Sequence, residues 1–241
     1  MPPSGDWRTW LLLAGRGFGK TRSGAEFVRI QIGEGRRRIA LVAPTAADAR
    51  DVMVEGESGI LAVSPPWDMP HYEPSKRRLT WPNGAIATTY SADEPERLRG
   101  PQHDAAWCDE IDSWRYPEAW DMLMFGLRLD IDPRVVVTTT PKPVKIIREL
   151  LADPTTVITR GSSYENRANL ADAFFAQIVR KYEGTRLGRQ ELNAEVLDDV
   201  PGALWNRARL EELRWPPRAP RRIALAGLQE RARADQDRRR H

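Results

Sequence analysis

The sequence predicts an α/β protein in which three layers form around a mainly parallel sheet. Short apolar runs of strand length alternate with amphipathic segments of helical period, as in parallel sheets that carry helices on both faces. The stretch 134–138, RVVVT, is rich in β-branched residues and predicts a central strand. A glycine-rich stretch separates the first strand from the first helix, at the edge of the sheet where such folds bind ligands.

The predicted elements follow one another in a regular order up to residue 164. We expect strands at 11–14, 39–43, 104–108, 134–138 and 156–159, and a hairpin over 76–90 that turns at 82–84. Helices are expected at 23–32, from 46 onward after a cap by Thr45, at 117–127 and at 144–151. Residues 56–74 hold four prolines and two glycines, and we expect a loop there.

Beyond residue 164 the pattern becomes helical. Leu170, Phe174, Ile178 and Tyr182 recur at a spacing of four and predict an amphipathic helix, and 186–196 is a second candidate. Residues 214–241 hold nine arginines against one glutamate and two aspartates. We therefore expect a core at 1–164, a helical subdomain or linker at 165–213 and a basic tail at 214–241.

Composition narrows the class of protein. The 241 residues carry a net charge of +3, and the basic tail accounts for the excess, so bulk charge is weak support for nucleic-acid binding by the core. Cys108 is the single cysteine, which excludes an internal disulfide and makes a cysteine-based zinc site implausible. The N-terminus shows no signal peptide or membrane span, so we expect a cytoplasmic protein that contacts no membrane.

The stretch 11–24, LLLAGRGFGKTRSG, nearly matches a phosphate-binding loop. The standard spacing places a first glycine at position 14, where this chain has Ala14. Gly15, Gly17 and Gly19 give the backbone freedom to curl around phosphates, and the following helix presents its amides to the anion. Lys20 would reach the β- and γ-phosphates and Thr21 would offer a hydroxyl to Mg²⁺. The alternative is a glycine-rich turn beside a surface lysine.

Two further motifs stand at the ends of predicted strands. In DAAWCDEID, Asp109 and Glu110 follow an apolar run, as expected for a Mg²⁺ ligand and a base that activates water. The alternative is a helix cap followed by an acidic first turn. In VVVTTTPKP, Thr138, Thr139 and Thr140 close the central strand beside the phosphate end of the sheet, unless they reflect β-propensity alone.

Together these motifs resemble one family, the large terminase subunit of tailed bacteriophages and gene transfer agents. The stretches that carry the resemblance are WRTWLLLAGRGFGKTRSGAEFVR, LVAPTAADARDVMVEGESGIL, RLRGPQHDAAWCDEIDSW, VVVTTTPKP and YEGTRLGRQELNAEVLDDVPGALW, which span about residues 6–205. The resemblance implies a P-loop NTPase fold of the ASCE type with a C-terminal helical subdomain. It also implies an ATPase that drives double-stranded DNA into a viral procapsid.

The resemblance assigns a role to each motif residue. It implies that the loop from Gly15 through Arg16, Gly17, Phe18, Gly19 and Lys20 to Thr21 binds ATP. It further implies that Thr21 and Asp109 hold Mg²⁺ and that Glu110 is the catalytic base. The three threonines match the segment that couples hydrolysis to movement.

Three arginines and one tryptophan are further candidates. Family members often carry a basic residue inside the loop, so Arg16 is a candidate for charge stabilisation in the transition state. Arg99 and Arg128 are weaker candidates, with surface or structural roles as the alternative. Trp7 lies before the first strand and either packs near the adenine or belongs to the core.

The implied partners are those of a packaging motor. They are duplex DNA gripped through its phosphates, a portal protein, a small terminase subunit and further copies of the chain in a ring. Rival functions are another P-loop DNA translocase or helicase, and a non-catalytic ATP-binding remnant.

The C-terminal part departs from the family pattern. The family continues into a nuclease domain that opens with an apolar strand bearing a metal-binding aspartate, whereas RRIALAGL here has none. We therefore expect a truncated gene or a nuclease made separately, and no endonuclease activity. The arginine-rich tail is either read-through sequence or a DNA-binding extension.

Overall fold

The computed structural model describes residues 2–197 and the isolated Leu213. Eight strands form one sheet in the order β3-β4-β5-β2-β6-β7-β1-β8. They are β1 (Thr9–Ala14), β2 (Arg38–Ala43), β3 (His71–Glu73), β4 (Arg78–Thr80), β5 (Ile86–Ser91), β6 (Ala105–Asp109), β7 (Arg134–Thr139) and β8 (Thr156–Gly161). All neighbours from β5 to β8 in this order pair in parallel, while β3 and β4 add an antiparallel edge.

Helices cover both faces of the sheet. The α-helices of the described residues are α1 (Lys20–Gly33), α2 (Ala46–Asp48), α3 (Ile60–Val63), α4 (Glu118–Gly126), α5 (Lys145–Ala152), α6 (Asp172–Phe174), α7 (Arg180–Tyr182) and α8 (Arg186–Glu191), and α1 and α3 pack on one face while α4 and α5 pack on the other. Successive side chains of β1 enter two separate cores, with Leu12 packing beneath α1 and Leu13 packing against α4 and α5. This arrangement confirms the predicted three-layer α/β fold.

Strand β7 lies between β1 and β6, so the β-branched run is central as predicted. The strand inserted between the loop-bearing strand and the acidic strand is the additional strand of the ASCE type. Helix α1 begins at Lys20 rather than Ser23, because Gly19 at its N-cap adopts a left-handed conformation and turns the loop directly into the helix.

Two expectations about local structure were wrong in detail. The expected loop at 56–74 contains α3, a 3₁₀ turn (Pro66–Asp68) and β3, which are too short to show a period in sequence. The expected helix over 170–182 begins only at Asp172, and a π-helical stretch (Phe175–Val179) interrupts it between α6 and α7. Leu170 precedes the helix and packs against the glycine-rich loop.

The described part of the chain up to Leu197 forms one compact unit. The expectations about the arginine-rich tail and the missing nuclease strand lie outside the described residues, and the boundary at residue 164 stays a prediction. None of the helices within the described residues combines the length and apolar character needed to cross a bilayer.

Candidate nucleotide site

The glycine-rich loop joins β1 to α1 at the carboxyl edge of the sheet. Ala14 is the last residue of β1, is fully buried and needs no left-handed conformation, so the missing first glycine is structurally harmless. Gly17 and Gly19 do need one, with φ of 73° and 104°. A side chain at Gly15 would meet the carbonyl oxygen of Glu191 at 2.7 Å, so this glycine permits close packing rather than a turn.

Lys20 is the first residue of α1, directly after the glycines of the loop, and is buried. Its Nζ donates hydrogen bonds to the carbonyl oxygen of Ala14 at 2.9 Å and to Thr140 Oγ1 at 3.2 Å. The same atom lies 3.8 Å from Glu110 Oε1. One ammonium group therefore connects the loop, the acidic strand and the threonine-rich strand.

The two acids stand where β6 ends, with Asp109 its last residue and Glu110 the first residue beyond it. Asp109 is buried and accepts a hydrogen bond of 2.6 Å from Thr138 Oγ1, and burial raises the pKa of Asp109 to about 6. Burial likewise raises the pKa of Glu110 to about 7, although the nearby Lys20 ammonium opposes the shift. Glu110 has a left-handed backbone (φ 45°, ψ 49°), which costs about 1–2 kcal/mol in a residue with a side chain. This left-handed residue turns the chain sharply where β6 ends at the cleft.

Each of the three threonines binds a different acidic or basic partner. Thr138 donates to Asp109 and accepts a hydrogen bond of 2.8 Å from Trp107 Nε1. Thr139 points to the other face of the sheet and donates to Asp112 Oδ1 at 2.6 Å. Thr140 accepts from Lys20, and its backbone N–H lies 3.4 Å from Glu110 Oε2. These contacts go well beyond simple β-propensity.

The loop and the strand ends line a cleft of about 1190 Å³, large enough for a nucleoside triphosphate. Its walls include every residue of the loop from Gly15 to Thr21 together with Asp109, Glu110, Ser113, Thr140 and Lys142. The Phe18 ring packs tightly over Gly161, since a Cβ at Gly161 would lie 2.1 Å from it. The structure thus brings the predicted phosphate-binding, metal-binding and catalytic residues together.

The segment after β8 closes the outer side of the loop. Arg16 Nε donates to Glu191 Oε2 at 3.0 Å, and its backbone N–H donates to the carbonyl oxygen of Glu191 at 2.8 Å. Asn166 Nδ2 donates to the carbonyl oxygen of Gly17 at 2.6 Å. The Arg16 side chain is therefore exposed and paired with the helical segment in this conformation.

Three other candidates lie away from the cleft lining. Trp7 is buried among Trp10 and Phe27 with the Arg134 guanidinium over its ring, so it is a core residue rather than an adenine contact. Arg99 is exposed beside Glu96, with 3.7 Å between the charged groups. Arg128 is exposed and donates to the carbonyl oxygen of Phe125 at 3.1 Å.

The donor set of the cleft suits Mg²⁺ bound together with a nucleotide. Thr21 and Asp109 offer hard oxygen ligands, and the buried Asp109 carboxylate, with its raised pKa, would gain from a cation. Within the described residues, no group of three or more His, Cys, Asp or Glu side chains forms a self-sufficient metal site. Such an ion would take its remaining ligands from phosphates and water.

Sequence reasoning missed three residues of the site. Asp112 and Lys142 form an ion pair beside Glu110, and Glu191 holds Arg16. The second aspartate of DEIDSW and the lysine after the threonines were visible signals for the first two. Glu191 carries no local signal, because it lies 175 residues from Arg16 in sequence.

The strand order, the glycine-rich loop between β1 and α1 and the acids at the end of β6 define a P-loop NTPase of the α/β class. A family model described as "Terminase large subunit, T4likevirus-type, N-terminal" matches residues 11–212. The chain therefore belongs to the terminase large subunit family. No curated protein sequence matches it significantly.

Solved structures with the same fold include two large terminases from phages. The ATPase domain of the Thermus phage P74-26 large terminase is 16% identical, with a TM-score of 0.61 over 79% of this chain and 89% of that one. The large terminase of the thermophilic bacteriophage D6E is 12% identical, with a TM-score of 0.65 over 80% of this chain and 49% of that one. The chain thus spans about half the length of the D6E protein.

Proposed function

We propose that this chain hydrolyses MgATP and uses the energy to move double-stranded DNA into a viral procapsid. The observation that carries the proposal is the convergence of Lys20, Asp109, Glu110 and Thr140 around one cleft large enough for ATP. Membership of the terminase large subunit family supports DNA packaging as the work performed. A structure of the D6E large terminase in complex with ADP supports nucleotide binding on this fold.

Different residues of the cleft bind the phosphates, hold Mg²⁺ and activate the attacking water. Lys20 and the amides at the start of α1 bind the phosphates. Thr21 and Asp109 hold Mg²⁺, which when bound supplies positive charge against the phosphate oxygens. Glu110 orients the attacking water and accepts its proton, and a pKa of about 7 suits a base near neutral pH.

The coupling role falls on residues that touch both the site and its surroundings. Thr138 and Thr140 tie β7 to Asp109 and to Lys20, so a change at the phosphates reaches the central strand directly. Arg16 stabilises transition-state charge once it leaves Glu191, which would link the loop to the helical segment. Arg99 and Arg128 remain weaker candidates for such a role.

The proposed setting is the cytoplasm of a bacterial host. There the chain would act as a ring of copies on a portal protein, with a small terminase subunit presenting the DNA. The DNA grip would rest on phosphate contacts and would therefore be independent of sequence.

The two acids provide the sharpest test of the site. Glu110→Gln should bind MgATP but lose about 10²-fold or more of its turnover, because the base is gone and the metal ligand is kept. Asp109→Asn should also lose the Mg²⁺ dependence of nucleotide binding. Glu118→Gln, an exposed first-turn residue of α4 outside the cleft, is the matched control. Wild-type turnover in both cleft variants would contradict the assignment.

Lys20→Ala tests the loop itself. It removes the buried cation that faces the phosphates, so ATP binding measured by titration calorimetry should weaken strongly. An unchanged ATP affinity would show that the loop is not the phosphate site.

The rival functions give different outcomes with the wild-type chain. ATP hydrolysis stimulated by duplex DNA or by a small terminase subunit would support the packaging motor. Strand unwinding would favour a helicase, and ATP binding without turnover would favour a non-catalytic remnant. The absence of endonuclease activity stays a prediction, which conversion of a supercoiled plasmid to linear DNA would contradict.

A further inference from the structure

An ion pair with one buried partner adjoins the cleft on the side of the catalytic acid. The Asp112 side chain is fully buried, whereas the Lys142 side chain is 40% exposed, and Lys142 Nζ lies 2.5 Å from Asp112 Oδ2. Burying a carboxylate is costly unless it is paired and hydrogen-bonded. The arrangement therefore fixes the lysine more firmly than a surface pair would.

Asp112 is held rigidly by its own contacts. It belongs to the 3₁₀ turn Ile111–Ser113 that directly follows Glu110. The Thr139 hydroxyl donates to its Oδ1 at 2.6 Å, so the carboxylate is oriented from the central strand β7. Asp112 is thus anchored between the acidic strand end and the threonine segment.

Lys142 forms part of the cleft wall together with Lys20, Glu110, Ser113 and Thr140. Its ammonium group donates to Ser113 Oγ at 3.0 Å and pairs with Asp112. A lysine ammonium has three N–H donors, and within the described residues it hydrogen-bonds to Ser113 while pairing with Asp112 by charge, so at least one donor remains for a ligand in the cleft.

The position of Lys142 indicates which part of a nucleotide it would meet. It lies two residues after Thr140, whose hydroxyl binds Lys20, and beside the turn that carries Glu110. The end of the phosphate chain must lie near the residue that activates water. The two exposed arginines of the cleft lining already have carboxylate partners in this conformation, Arg16 in Glu191 and Arg22 of α1 in Glu26 at 2.8 Å.

We propose that Lys142 binds the terminal phosphate of ATP and that Asp112 is the positioning residue that aims it. This inference rests on the proposed function and adds Lys142 to Lys20 as a second cation in the cleft lining. Loss of the terminal phosphate would then change the contacts of Lys142, and Asp112 would pass that change to Thr139 on the central strand. This route would add to the contacts that Thr138 and Thr140 make with Asp109 and Lys20.

The test compares two nucleotides that differ in the terminal phosphate. Calorimetric titration of Lys142→Ala should show binding of ATP-γ-S weakened about tenfold or more, as expected for one lost charge-assisted hydrogen bond, with ADP binding within about twofold of wild type. Lys142→Arg should restore much of the ATP-γ-S affinity. Asp112→Asn should weaken ATP-γ-S binding in the same selective way, by a smaller factor.

Lys145→Ala is the matched control, since Lys145 is 89% exposed, pairs with Glu149 and lies outside the cleft lining. It should leave both affinities unchanged. Unchanged ATP-γ-S affinity in Lys142→Ala, or an equal loss for both nucleotides, would overturn the inference, because a merely structural pair would not discriminate between them. If the wild-type chain bound neither nucleotide, the proposed function would fail as well.

Discussion

The Thr138 hydroxyl bonds to two buried groups, the neutral indole N–H of Trp107 and the carboxylate of Asp109. Removing this hydroxyl should therefore destabilise the fold. Thr138→Val keeps the shape and the β-branch but deletes the hydroxyl, which leaves Trp107 Nε1 and Asp109 Oδ1 without their partner. The neutral hydrogen bond contributes about 1 kcal/mol and the one to a carboxylate about 1.5–3 kcal/mol. We therefore expect the free energy of unfolding to fall by about 2.5–4 kcal/mol.

Urea unfolding at pH 8 measures this loss, and two controls isolate the hydroxyl. Thr138→Ser keeps both hydrogen bonds and should lose only about 0.8 kcal/mol for the missing methyl group. Thr156→Val removes a buried hydroxyl that has no hydrogen-bond partner within the described residues, so it should be neutral or stabilising. The reasoning would be refuted if Thr138→Val cost under about 1 kcal/mol, or if the Thr156 variant cost as much.

Two further predictions concern stability. A Cβ at Gly24 would lie 2.1 Å from the Trp107 indole, so Gly24→Ala should lower the free energy of unfolding by about 1–3 kcal/mol or more. A Cβ at Gly33, in the same helix, would meet nothing within 4 Å, so Gly33→Ala should raise the free energy of unfolding by about 0.4–1 kcal/mol. Similar urea midpoints for both would contradict the packing argument. Burial lowers the pKa of His103 to about 4, below its usual value of about 6.5, so the unfolded chain binds the proton more readily and stability falls as pH drops below about 6.5. The stability advantage of wild type over His103→Gln should shrink by roughly 2 kcal/mol between pH 8 and pH 5, and a constant difference would refute it.

Much of the site follows from local sequence because its residues stand at the ends of recognisable elements. The apolar runs placed Asp109 and the threonines at carboxyl ends of strands, and parallel strands bring those ends to one edge. The GKT signature predicted Lys20 and Thr21 in a loop just before a helix, and the structure has that helix beginning at Lys20 itself. These inferences needed only the hydrophobic period of each segment, the position of the polar residues that follow it and the direction of the chain.

The pairings between side chains were decided by tertiary structure alone. Thr138 and Thr139 are neighbours in sequence, yet they bind Asp109 and Asp112 on opposite faces of the sheet, since successive residues of a strand point in opposite directions. Position 15 requires a glycine because the Glu191 carbonyl oxygen lies against it, and no motif spacing in the sequence reveals that contact. The parallel fold and its motifs could thus be predicted from the sequence. Strand order, register and the packing of distant segments decided which charged groups meet, because these depend on contacts across the whole chain.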